Sequence, residues 1–168
     1  MNKVDAATVR SILDGHEASG FHVDDRLRGE IDQPGEMYLD VLATREEFLR
    51  LVWQSSDATR PLTPVGQPRT LLDCACRLST FGWEFQALIQ AGFEWFRPCA
   101  DIDKAFDYGK VGLVALTPLI ESERRETIAG NYYIYDGVHK SIVLAKRLLR
   151  RANGYEPVQV LLLTPRRS

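Results

Sequence analysis

The stretch Asn131–Arg150, NYYIYDGVHKSIVLAKRLLR, changes its periodicity halfway along. Tyr132, Tyr133, Ile134 and Tyr135 suit a pleated strand, Asp136-Gly137 is turn chemistry, and Ile142, Ala145, Leu148 and Leu149 recur at helical spacing. This predicts a strand over Asn131–Asp136 and a helix over His139–Ala152, closed by Asn153-Gly154. Apolar runs stand on either side: VGLVALT, Val111–Thr117, and PVQVLLLT, Pro157–Thr164, both of strand length. Strand, helix and strand in that order read as a crossover unit in a small mixed β-sheet. The fold class is therefore α+β.

The turn itself carries the chemistry. A helix start leaves backbone N–H groups unpaired and holds a partial positive charge, which makes it a place for an anion. Gly137 allows a sharp turn or the close approach of a ligand. His139 and Lys140 add side-chain donors, Lys140 adds a charge, and Ser141 can cap the helix or donate to an oxygen. These are the parts of a phosphate cradle. Lys146, Arg147, Arg150 and Arg151 are expected to face outward from the same helix. From His139 onward seven Lys and Arg residues stand against Glu156 alone. That face is either solvated surface or a contact for a nucleic-acid backbone.

The segment from Tyr132 to Thr164 resembles the strand–G-x-H-R–helix unit of the ParB/sulfiredoxin superfamily, through YYIYDGVHKSIVLAKRL and the closing PVQVLLL strand. The resemblance implies a nucleotide-binding domain over residues 61–168, with an N-terminal helical or irregular extension over 1–60 packed on it. It implies that Gly137, His139, Lys140 and Ser141 bind the phosphates of ATP or CTP. Magnesium is expected because it bridges nucleotide phosphates. The segment GQPRTLLD, Gly66–Asp73, is similar to the Q-P-R segment of ParB domains and makes Arg69 a further candidate for the phosphates, while VALTPL, Val114–Leu119, is a competing match to the family's first strand. Two departures stand out. Val138 occupies the place of the reactive sulfiredoxin cysteine, which argues against peroxiredoxin repair, and Lys140 replaces the usual arginine, keeping the charge but losing the bidentate fork. The helix-turn-helix that follows the ParB nucleotide domain is not found before Ser168.

The implied activity is hydrolysis of the nucleotide or transfer of its phosphate. His139 would stabilise developing charge, and Asp136 would act as a base or a carboxylate facing magnesium. Two other classes stay open: a ParB-like nuclease or DNA-binding module using Lys146, Arg147, Arg150 and Arg151, and a non-catalytic interaction protein. A second copy of the chain or another protein is an open partner. Arg124 and Arg125, in the charged connection before the turn, could swing over a bound nucleotide.

Upstream, Val4–Leu13 reads as a short helix stopped by Gly15, and Gly20–Glu36 as a polar loop. Met37–Ala43 is strand-like, and Thr44 with Glu47 forms a capping box for a helix burying Phe48, Leu51, Val52 and Trp53. Ser55–Pro68, with three prolines, reads as a linker. Leu71–Leu78 and Gly82–Ala91 look helical, the second capped by Ser79 or Thr80 and ended by Gly92. Phe93–Phe96 is expected as a short strand and Asp101–Tyr108 as a helix with an acidic first turn. Asp101, Asp103 and Asp107 fit no calcium loop. Trp83, Phe85, Trp95 and Phe96 are expected to pack in the core.

The 168 residues, 45% of them hydrophobic, suffice for one core. A net charge of -2 does not point to a polyanion binder. No apolar run is long enough to span a bilayer, no signal-peptide pattern opens the chain, and a cytoplasmic protein is the expectation. Cys74, Cys76 and Cys99 are odd in number and lack the C-x-x-C of zinc or redox motifs, and His16 and His22 lie far from them. They read as small buried apolar residues.

Overall fold

The computed structural model describes residues 1–20, 22–33, 35–53, 56–63, 69–117 and 132–165, without the side chains of Arg69, Lys110 and Pro165. The strands are β1 (Asn2–Val4), β2 (Gly35–Leu42), β3 (Val52–Trp53), β4 (Arg69–Thr70), β5 (Val114–Thr117), β6 (Tyr133–Asp136) and β7 (Val158–Pro165). The α-helices are α1 (Ala6–Ala18), α2 (Asp25–Glu30), α3 (Arg45–Leu49), α4 (Leu71–Arg77), α5 (Phe85–Gln90), α6 (Arg97–Lys104) and α7 (Val138–Leu149).

The strands form one mixed sheet in the order β1-β2-β7-β5-β6-β3-β4. The chain is α+β, as its pattern predicts. The expected crossover takes a different form. β6 runs antiparallel to β5, β5 runs parallel to β7, and β5 lies between the two strands that α7 connects. The parallel pairs are β5 with β7 and β3 with β6. Residues 1–60 contribute β1, β2 and β3 to this sheet, so the expected boundary at residue 60 falls inside one hydrogen-bonded unit.

Alternation along the strands splits the interior in two. Val114, Leu116, Ile134, Val160 and Leu162 face the larger core, with α7 residues Ile142, Val143, Leu144, Ala145 and Leu148. Leu113, Ala115 and Leu161 face the opposite side, covered by Val9 and Leu13 of α1 and by Val23, Leu27 and Ile31 around α2. Helices therefore cover both faces of the central strands.

Several local expectations shift. Gly15 lies inside α1, which Asp5 caps by accepting from Thr8 N at 2.8 Å. The polar stretch after Gly20 contains α2, capped by Asp24. The Thr44–Glu47 capping box forms, but the helix it starts ends at Leu49, and Trp53 belongs to β3. α5 begins after Glu84, not at Ser79 or Thr80, which belong to a 3-10 turn. Glu94–Phe96 is a 3-10 turn instead of a strand, leading into α6, where Pro98 occupies the first turn. Asp101 and Asp103 consequently lie in the second half of α6, not at its start. Cys74 and Cys99 are buried as expected, while Cys76 is exposed. Arg124 and Arg125 lie outside the described residues.

Candidate functional site

β6 ends at Asp136 beside the start of β5, with Asp136 opposite Ala115. The chain must turn there from the sheet into α7, and Gly137 does so with φ 90° and ψ 23°. The Asp136 carboxylate braces the turn by accepting from Gly137 N at 2.8 Å. The first bond within α7 runs from Ser141 N to Gly137 O at 3.0 Å. No side chain caps the helix, so the amides of its first turn lack the usual partner.

The turn lines a cavity of about 1000 Å³. Asp136, Gly137, Val138, His139 and Lys140 form its floor. The segment joining α1 to α2 supplies Ser19, Gly20, His22 and Asp24, and α2 supplies Arg26. Trp53 and Trp95, with Pro98, Ile102 and Phe106 in and after α6, supply its apolar lining, and Asp101 and Asp107 from the same stretch add carboxylates. The volume and mixed lining suit a small organic ligand with polar groups.

His139 is fixed by aromatic packing. Its ring stacks on Trp95 at 4.1 Å between centroids and 24° between planes. Trp95 meets Trp53 edge-on at 5.4 Å, and Trp53 Nε1 donates to Val138 O at 3.2 Å. This chain ties β3 and the turn before α6 to the start of α7. Burial pushes the His139 imidazole below its ordinary pKa, against the pull of the Trp95 backbone and Asp136.

Lys140 folds back beneath the turn. Its Nζ donates to Leu113 O at 2.8 Å. A Cβ added at Gly137 would lie 2.6 Å from Lys140 Cε and 3.5 Å from Val114 Cγ2. Glycine is thus favoured by the positive φ, and any side chain there would also displace the end of the lysine. Burial lowers the amine to about 8, with Asp136 opposing the shift. His16 of α1 is lowered by burial and by the Lys140 charge. Asp24 accepts from Arg26 through its backbone and guanidinium.

The other candidates part company with the turn. Ser141 is fully buried, and its hydroxyl donates to Gly137 O at 2.7 Å, so it neither caps the helix nor faces the cavity. The Arg69 backbone lies in β4, and its side chain is outside the described residues. Lys146 and Arg147 do not face outward as expected. Both pair with Asp103 of α6, whose carboxylate is itself largely buried, and Arg147 also donates to Asn153 Oδ1 at 2.7 Å. Their cations lie over Phe85 and Phe106. Arg150 lies over Trp83 at 5.2 Å, and both Arg150 and Arg151 are exposed. The expected basic stripe is thereby reduced to two exposed arginines, because α6 brings an acid against it.

Sequence reasoning missed two walls of the cavity. Phe85 and Phe96 are in the core and Trp95 packs against it, as expected, but Trp95 also lines the cavity, which its sequence position does not show. The α1–α2 segment reads as polar loop, although Asp24 before Asp25-Arg26-Leu27 is a helix N-cap signal. Comparison with family models, with curated proteins and with solved structures finds no match for this chain.

Proposed function

We propose that the chain is a ParB/sulfiredoxin-like protein that binds a nucleoside triphosphate, ATP or CTP, in this cavity and hydrolyses it or transfers its phosphate. One observation carries the reading: the uncapped start of α7, turned on a left-handed Gly137, opens on a cavity of nucleotide size beside the Lys140 amine. The first-turn amides and Lys140 would receive phosphate oxygens. His139, held by Trp95, would add a donor at the same edge. The apolar wall of Trp95, Ile102 and Phe106 would take the base.

Among the described residues no three His, Cys, Asp or Glu side chains come together as metal ligands. Magnesium would therefore arrive on the phosphates, with at most a carboxylate or two from the protein. It would offset the negative charge that Asp24, Asp101, Asp107 and Asp136 place around the cavity.

The test is a thermal-shift panel of ATP, CTP, GTP and their diphosphates, with and without magnesium. A ligand at 100 times its Kd adds about 2.7 kcal/mol, roughly 5–10 °C for a domain of this size. His139→Ala and Lys140→Ala should each weaken binding about tenfold. No shift with any nucleotide, or a shift unchanged in both variants, would remove the reading.

A further inference from the structure

Three lysines show how differently the fold treats an amine. Lys3 pairs with Glu36 and Lys146 with Asp103. Lys140 has no such partner: among the described residues no carboxylate forms an ion pair with its Nζ, and its hydrogen bond is to the neutral carbonyl of Leu113. Its stem passes close to Gly137, and it lines the cavity. The titratable groups that face it are Asp136 from β6 and His16 from α1.

We propose that Lys140 is the reactive amine of this chain, and that the cavity takes small carbonyl compounds, aldehydes or ketones, which Nζ captures as an imine. The nitrogen lone pair adds to the carbonyl carbon, and the carbonyl oxygen takes up a proton. The resulting carbinolamine loses that oxygen as water, leaving a C=N bond to Nζ. His16 and Asp136 are the neighbours able to pass the protons. Nothing is oxidised or reduced.

Two features make the capture selective. Gly137 has no side chain to shield the amine; a Cβ there would lie 3.5 Å from Nζ. The amine is also lowered to about 8 by burial, so near pH 8 about half of it is neutral, against well under 1% of an ordinary lysine at about 10.4. Buried lysines are the usual carriers of imine chemistry for this reason. The inference does not depend on nucleotide binding.

The experiment exposes the full-length protein to propanal with sodium cyanoborohydride, which reduces the imine to a stable secondary amine, and maps the adducts by peptide mass spectrometry. Lys140 should label at least tenfold faster than exposed Lys104 at pH 7.5, with a rate that rises through a midpoint near pH 8. Lys140→Arg should remove that adduct and leave the others. Labelling of Lys140 no faster than of Lys104 overturns the proposal, and because it is read on the unsubstituted protein, no folding defect can mimic it. Adding ATP with magnesium separates the two readings. Fast labelling without protection supports the reactive amine and counts against nucleotide at the turn. A nucleotide thermal shift with slow labelling does the reverse.

Discussion

Gly137 and Lys140 depend on each other. A side chain at Gly137 would sit at φ +90° and press on the stem of Lys140. A left-handed non-glycine residue costs about 1–2 kcal/mol, so Gly137→Ala should lower the melting temperature by roughly 2–8 °C. Gly137→Val should cost more, because a β-branched residue tolerates that backbone poorly. Calorimetry checks both, and melting equal to wild type would show that the turn relaxes freely.

Lys140 also sets a pH dependence. Its amine sits at about 8 in the fold and near 10.4 in the unfolded chain. Between these values the unfolded chain binds the extra proton, so stability rises with pH across that window. Lys140→Met lacks the titrating group. Its stability relative to wild type should be greatest below pH 8 and should shrink as pH climbs toward 10, measured by urea unfolding at a series of pH values. His139 and His16 act on the acid side. Both are lowered, so acidification below about 6.5 protonates the unfolded chain first and favours unfolding.

At the scale of elements, α6 and α7 are joined by one carboxylate. Asp103 receives Lys146 and Arg147 together, and two aromatic rings cover the cations. Asp103→Ala would leave both cations half-buried and unpaired, at a cost of about 2–4 kcal/mol. Melting should fall by roughly 5–15 °C, and removing Arg147 as well should add less than the sum of the two single changes. Additive losses in this double-mutant cycle would mean the pair is not coupled.

The same pair of helices shows what a one-dimensional reading can and cannot reach. The strand, turn and helix from Tyr133 to Leu149 were legible because aromatic alternation, Asp-Gly and helical spacing are local signals. The partner of a charged helix face is not local. Lys146 and Arg147 look solvated until α6, some forty residues earlier, supplies Asp103. Trp95 was hidden for the same reason: only the fold brings His139 onto its ring. Ser141 read as a phosphate donor by position, yet a buried serine in a helix satisfies itself on the carbonyl one turn back.

For the whole molecule, the sheet order matters more than any single contact. β7 lies between β2 and β5, pairing with β2 along its length and with β5 over Val160–Leu162. Ending the chain at residue 157 would separate β1-β2 from β5-β6-β3-β4. The shortened protein should show no cooperative melting and should bind dyes for exposed apolar surface. A sharp transition near the wild-type temperature would show that each half holds together alone.

The position of β7 also sets a timetable. Every other described strand leaves the ribosome before it, yet it is the strand that unites them. Until Val158–Pro165 emerges, β2 presents an unpaired edge and β5 presents another, both open to neighbouring chains. Pairings of such long sequence separation close slowly. A nascent chain of this protein should therefore stay protease-sensitive until Val158–Pro165 has emerged and then become resistant in a single step.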